Sequence, residues 1–439
     1  MSQKHVLFED ALGIAIEKTR NRGNIFGKKV VLVRDFRGCI RVLMQKKKLL
    51  AKQKTELNKY RKELSEALGA YGFPPDSMVL DADDLEQGDQ LFDSSDLHLI
   101  TYDKKTDFTI KLLERQIIGQ DWIREPLERH TTTRRVTFFG IKGGVGRSTA
   151  LANWSWRLAK QGKKVLIFDL DLESPGVSST LLPENLLPDY GIVDWFVEDG
   201  VGQADIVNNA MTASSPLDKD LPGEIRVVPA FGRDAKDYLP KLSRCYADSN
   251  GNTFKPWAKR LQQMVEQVED YEKPDLVILD SRAGLHDIAA ASVTRMDAET
   301  FLFAVDSAQT WKAYSFLFEQ WKQLRQIREF RHRLQIVASL IPETGRPEYL
   351  TRFITNSWDL FQTYLYDKDD YDETGATTDD VFNFGQNDDE APHYPLPVYW
   401  QRALQEFNPV SGIDEKVVKE AMGKFMEEAE KIVFEDGNI

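Results

Sequence analysis

At 439 residues the chain is longer than a single hydrophobic core usually serves, so two domains, or one large domain with an appendage, are expected. Its 41% apolar and 29% charged residues match an ordinary soluble globular balance, and a net charge of -13 argues against a whole-surface nucleic-acid footprint. Cys39 and Cys245 stand far apart without partners at ligand spacing, which supports neither a disulfide framework nor a zinc cluster and fits a reducing, cytoplasmic setting.

The N-terminal stretch to Arg20 lacks the continuous apolar core of a signal peptide, and no window approaches bilayer-spanning length. Lys28 to Met44 reads as two β-branched runs around Asp35-Phe36-Arg37-Gly38, which predicts a hairpin. Lys46 to Leu68 reads as a helix with spaced leucines and a polar face crowded by Lys and Arg. Ala70 to Leu97, with Pro-Pro and acidic clusters, reads as loop, and a mixed stretch from Leu97 leads to a boundary placed near His130. Residues 1–130 are thus expected to form a smaller α+β accessory domain and 131–439 the main domain.

From Arg135 the pattern alternates strand, glycine loop or connection, and helix, which predicts an α/β fold with a mostly parallel, doubly wound sheet. The candidate strands are Val136–Ile141, Lys164–Asp169, Arg226–Ala230, Leu276–Asp280, Thr300–Asp306, Leu334–Leu340 and Pro397–Trp400, short and apolar as doubly buried strands should be. Helices are expected at Ser148–Gln161, Trp257–Tyr271, Trp311–Phe330, Tyr349–Leu365 and Glu415–Phe434. Trp154, Trp156, Trp311 and Trp321 lie on these helices and read as packing residues rather than base-stacking platforms.

Lys142-Gly143-Gly144-Val145-Gly146-Arg147-Ser148-Thr149 lies between a predicted strand and a predicted helix, the context a phosphate cradle requires. Glycines let successive N–H groups turn toward one point, where the helix N-terminus adds positive potential. Ser148 is the candidate Mg²⁺ ligand, and Arg147 stands where a lysine usually reaches the β- and γ-phosphates.

The loop resembles the deviant Walker A of the ParA/MinD family of P-loop ATPases, whose pattern is KGGxGK[ST]T, and Asp169-Leu170-Asp171 and Asp280-Ser281-Arg282-Ala283-Gly284 resemble its switch I and switch II. The likeness spans about Arg135 to Trp400. It implies a P-loop fold, ATP and Mg²⁺ as cofactors, and slow or partner-stimulated ATP hydrolysis. It also implies an ATP-dependent homodimer in which Lys142 reaches the partner's phosphates. Asp171 matches the carboxylate that positions the attacking water, Asp169 an acidic neighbour of the metal, Asp280 the Walker B carboxylate that holds Mg²⁺ through water, and Gly284 the glycine that senses the γ-phosphate.

A carboxylate ending a parallel strand also commonly caps the next helix, so Asp169 has a purely structural alternative. Two departures stand out. Arg147 replaces the pattern's lysine, and the base-contacting asparagine is missing, its place offering Ser339. No guanine-selecting carboxylate motif is present, so ATP is favoured over GTP only by default.

Between Gly27 and Lys62 thirteen Lys or Arg face only Asp35 and Glu56, which reads either as a solvated helix face or as a contact for nucleic acid or an acidic protein. Asp367 to Glu390 holds ten acidic residues and one Lys, and reads as an acidic insertion at 366–391 that is no calcium loop. The expected function is an ATP-controlled dimer switch acting on a still unidentified protein or nucleic-acid partner. The alternatives are a nucleotide-binding regulatory module with little hydrolysis, or a nucleic-acid-binding component of a bacterial partitioning or antiviral defence system.

Overall fold

The computed structural model describes residues 5–45, 49–85, 88–94, 96–103, 107–116, 119–124, 132–247, 256–323, 327–367, 381–404 and 412–435. Lys46 to Lys48, His130 and the centre of the acidic insertion, 368–380, lie outside them. The chain divides into two units, Met1–Glu125 and Pro126–Ile439.

The first unit comprises α1 (Phe8–Thr19), α2 (Gly23–Phe26), β1 (Lys29–Arg34), β2 (Ile40–Met44), α3 (Ala51–Leu68), β3 (Val79–Asp81), β4 (Leu97–Asp103) and β5 (Phe108–Glu114). The five strands run in the order β3-β2-β1-β5-β4. β1 and β2 form the antiparallel hairpin expected at Lys28 to Met44, turning at Asp35, whose carboxylate accepts from the N–H groups of Arg37 and Cys39. Alternation along the strands sorts the core: Val30, Leu32, Val42, Met44 and Ile110 pack under α1 and α3, while Val31, Leu43 and Leu113 face the opposite side with Phe92. In α3, Leu57, Tyr60, Leu64 and Leu68 recur at helical spacing and are buried. The expected loop at Ala70 to Leu97 contains a short strand, β3, and the mixed stretch after it supplies two longer ones; neither has a run long enough to stand out by itself.

The second unit comprises β6 (Arg134–Gly140), α4 (Arg147–Lys160), β7 (Lys164–Asp169), α5 (Val177–Leu181), α6 (Ile192–Gly200), β8 (Ala213–Ser214), β9 (Glu224–Val228), α7 (Tyr238–Cys245), α8 (Trp257–Glu272), β10 (Leu276–Asp280), α9 (Asp287–Thr294), β11 (Glu299–Ala304), α10 (Ala308–Gln323), α11 (Ile327–Phe330), β12 (Leu334–Ile341), α12 (Arg346–Tyr364), β13 (Leu396–Tyr399) and α13 (Glu415–Phe434). Its eight strands run β13-β12-β11-β6-β10-β7-β9-β8, all pairs parallel except β8 with β9. The mostly parallel, doubly wound sheet is as expected. Both of its faces are apolar, which is why the strands read as continuous hydrophobic runs. Leu276 and Ile278 point to the layer holding Trp154 of α4 and Phe425 of α13, whereas Val277 and Leu279 point to the layer of α6, α8 and α9.

The order reverses around β6. From it the chain moves to β7, which lies beyond β10, while β11 lies on β6's other side. Ligands bind at such switch points, outside the carboxyl ends of the strands. The loop after β6, the carboxylates ending β7 and β10, and the start of α4 all meet there.

Candidate nucleotide site

The loop between β6 and α4 turns on two glycines in left-handed backbone, Gly144 at φ 71° and Gly146 at φ 75°. At Gly143 and Gly144 an added Cβ would meet nothing within 4 Å, so the loop's outer edge is open. At Gly146 it would lie 3.2 Å from Leu340 Cδ2 and 3.5 Å from Ser339 Oγ. That pressure comes from an irregularity in β12: pairing with β13 shifts between Ala338 and Ile341, and Leu340 adopts φ 53°. Ser339, fully buried, donates its hydroxyl proton to the carbonyl oxygen of Val145. The residue in the place of the missing asparagine is therefore spent on bracing the loop. Tyr314 of α10 braces its start, donating to Phe303 O at 2.9 Å and accepting from Ile141 N–H.

Lys142 and Gly144 to Thr149 line an open cleft of about 220 Å³. Lys142 is only partly buried and donates through Nζ to Gln309 Oε1 at 2.7 Å. Ser148 and Thr149 lie in the first turn of α4, where orphan N–H groups and the helix dipole favour an anion.

Arg147 does not extend over the loop. Its side chain is folded inward, Nε donating to Asp280 Oδ1 at 2.7 Å and Nη2 lying 3.9 Å from Asp171 Oδ2. Ser148 Oγ donates to the other oxygen of Asp280 at 2.9 Å. Asp280 and Asp169 are register partners at the ends of neighbouring strands, and both are buried. Asp169 accepts from the N–H and hydroxyl of Ser178 at 2.9 and 2.5 Å and from the N–H of Asp171 at 3.3 Å. The helix-bracing alternative for Asp169 thus describes where its oxygens go, at the start of α5. Burial, reinforced by the charge of Asp280, pushes its carboxyl above the usual carboxylate range. Asp171 is raised too, by burial, with Arg147 opposing.

The two switch-like segments touch each other. Arg282 forms an ion pair with Glu173, and Tyr246 at the end of α7 donates to the same carboxylate at 3.2 Å. Tyr238 donates to the carbonyl of Leu172. Gly284, at φ 87°, gives its N–H to Gly140 O at 3.2 Å, and an added Cβ there would find open space. His286 caps α9 by accepting from Ile288 N–H; burial and Arg282 hold its pKa below the ordinary histidine value, which keeps it neutral for that role. Sequence reading missed Glu173, Arg282, Tyr238 and Tyr246 as a set. The two segments come together through the sheet, and nothing in the spacing of α7 announces its contacts with Leu172 and Glu173.

The hard oxygen donors Ser148 and Asp280, side by side at the start of α4, fit a magnesium ion, which keeps several waters and phosphate oxygens and needs few protein ligands. Among the described residues no group of three or more His, Cys, Asp or Glu forms a metal cluster, so an all-protein metal cage is not what this site offers.

A strand, a glycine loop with two left-handed turns and a helix start, all at the carboxyl edge of a parallel sheet, make this a P-loop nucleotide-binding domain. Residues 136–341 match the family model described as the CobQ/CobB/MinD/ParA nucleotide binding domain. Those residues therefore carry a nucleotide-binding domain of the CobQ/CobB/MinD/ParA kind. No curated protein sequence matches the chain. Among solved structures, the cell division ATPase MinD of Pyrococcus furiosus is 18% identical, with 69% of this chain and 100% of that one covered at a TM-score of 0.41. MinD of Pyrococcus horikoshii, solved with Mg-ADP, is 16% identical over 70% of this chain and 100% of its own at 0.41. Cobyrinic acid a,c-diamide synthase of Mycobacterium smegmatis, with bound ADP and magnesium, is 17% identical over 50% and 80% at 0.36. No helix among the described residues is long and apolar enough to cross a membrane.

Proposed function

We propose that the chain is a Mg²⁺-dependent ATP-binding and hydrolysing switch that dimerises when ATP is bound and so controls a protein or nucleic-acid partner. The observation that carries this reading is the junction of Ser148 and Asp280 at 2.9 Å directly beneath an open glycine loop, with Asp171 beside it. In it the backbone of Gly143 to Thr149 binds the phosphates, Ser148, Asp280 and the neighbouring Asp169 hold the magnesium ion, and Asp171 orients the attacking water. Phosphoryl transfer asks for little beyond such positioning and charge neutralisation. A magnesium ion held by these residues would supply neutralisation of the charge that develops in phosphoryl transfer. Gly284 stands at the switch II bend as the γ-phosphate sensor, and Lys142, held at the cleft by one hydrogen bond to Gln309, is the residue that reaches a partner's phosphates. A cytoplasmic setting accords with a buried free Cys245 and a partly buried free Cys39.

Equilibrium sedimentation tests the switch. ATP with magnesium should convert monomer to dimer, ADP should not, and Asp171→Ala should accumulate the dimer because hydrolysis no longer resets it. An Asp171→Ala protein that stays monomeric in ATP would overturn the dimer cycle, and calorimetry without any adenine-nucleotide binding would overturn the site itself.

The position of Arg147 on Asp280 favours a second reading, a nucleotide-binding module with little hydrolysis, since the family pattern's phosphate cation is turned away from the loop. Single-turnover hydrolysis separates the two. For the basic segment, exposed Lys52, Lys54 and Lys62 on α3 support contact with nucleic acid in a partitioning or defence assembly. DNA or RNA binding that survives charge removal at these three lysines would discard that contact.

A further inference from the structure

Asp169 and Asp280 end the neighbouring strands β7 and β10, Asp171 follows two residues after β7, and the Arg147 guanidinium lies on Asp280 and 3.9 Å from Asp171. Arg147 is 8% exposed and Asp280 1%, so their charges are felt at short range with little screening. The other basic groups nearby are committed elsewhere: Lys142 to Gln309 and Arg282 to Glu173. Both oxygens of Asp280 are engaged, Oδ1 by the Arg147 guanidinium at 2.7 Å and Oδ2 by the Ser148 hydroxyl at 2.9 Å. These two side chains, Ser148 and Asp280, are the hard donors a divalent cation would need. A cation arriving there meets a carboxylate whose charge is already offset and a guanidinium that cannot lose its proton to make way.

We propose that Arg147 is a built-in counter-cation that keeps Asp280 closed to divalent metal until nucleotide phosphates draw the guanidinium away. This rests on the reading of the glycine loop as a nucleotide site. The guanidinium suits the exchange, because its several N–H donors bind a carboxylate and a phosphate equally well and it is one residue from the loop's last glycine. Binding then has an order: nucleotide first, with Arg147 moving from Asp280 to phosphate oxygens, and metal second. The arginine that replaces the pattern's lysine becomes a gate on the metal rather than a simple substitute for a phosphate contact.

The test uses the full chain without nucleotide and Mn²⁺ as the probe, its free fraction followed by electron paramagnetic resonance. Wild type should leave the manganese signal free, while Arg147→Gln should bind it with a half-saturation at least about tenfold lower, as expected when a charge at contact distance is removed. Adding Asp280→Asn to Arg147→Gln should abolish that binding. Mn²⁺ alone should raise the melting temperature of Arg147→Gln and leave that of wild type unchanged. Should Arg147→Gln not fold, Arg147→Lys, which keeps the charge on a single donor group, should bind Mn²⁺ between the two extremes. Nucleotide-free wild type binding Mn²⁺ as tightly as the Arg147 variants would overturn the proposal. A fluorescent ADP analogue titrated in EDTA reports separately: no binding to wild type there or with magnesium would sink the nucleotide site, whatever the manganese arm shows.

Discussion

Gly146 and Ser339 show how much of the site depends on single atoms. Gly146 combines left-handed backbone with a neighbour, Leu340 Cδ2, that a methyl group would approach to 3.2 Å. Left-handed backbone alone costs an L-residue about 1–2 kcal/mol. Gly146→Ala is therefore expected to lower stability by at least about 1 kcal/mol and to abolish nucleotide binding, measured by urea denaturation and by calorimetry with ADP and magnesium. Ser339→Ala removes the brace on Val145 O and leaves a buried carbonyl unpaired, for a loss of about 1–3 kcal/mol. The same calorimetry should show weaker ADP binding, with the loop loosened but not displaced. The glycines, Ser148 and the carboxylates are all visible in the sequence as chemistry. That Ser339 braces rather than contacts a base is not, because it follows from a register shift in β12 that no composition rule marks.

At the scale of elements, β11, α10 and α12 are locked by Asp306. Its side chain accepts from Trp311 Nε1 at 2.7 Å, Asn356 Nδ2 at 2.9 Å and Arg352 Nε at 2.5 Å. With 3% of that side chain exposed, Asp306→Ala leaves the half-buried donors of Trp311 and Asn356 unmatched while the exposed Arg352 turns to water, and is expected to cost about 1–3 kcal/mol in urea denaturation. The segment leading to β13 carries a pH dependence. His393 is buried between Tyr366, whose hydroxyl donates to Nδ1 at 2.6 Å, and the carbonyl of Gln386, which accepts from Nε2 at 3.1 Å. Burial holds its pKa below the ordinary 6.5. Below that pH the unfolded chain takes up a proton at this position that the folded chain resists, so this contribution to stability is intact above 6.5 and is lost as pH falls. Tm should drop between about pH 7.5 and pH 5.5, and His393→Gln should show a smaller drop across the same range. The helices flanking the sheet were legible as amphipathic periods. α1, α5, α6, α7 and α9 were not read as elements, α5, α7 and α9 being eight residues or fewer and held by tertiary contacts such as Ser178 on Asp169 and Tyr238 on Leu172.

For the whole molecule, each unit has its own apolar clusters: one set around Val30, Leu57 and Tyr60, the other around Phe138, Trp154 and Phe425, and Leu166, Trp195 and Val277. A chain beginning at Pro126 should therefore fold alone and keep its nucleotide affinity within about threefold of the full protein, tested by calorimetry beside circular dichroism. Affinity lost on removing 1–125 in a folded fragment would assign the first unit a direct part in the site. What the linear order of residues determined was the chemistry and the architecture: short continuous apolar runs set a sheet buried on both faces, and a glycine run between strand and helix predicts a phosphate cradle, because both depend on neighbours along the chain. What only the tertiary structure decided was the state of that chemistry. Arg147 lies on Asp280 and Glu173 on Arg282 because strands distant in sequence are adjacent in the sheet, and charges in a buried site pair with whatever the packing brings within reach.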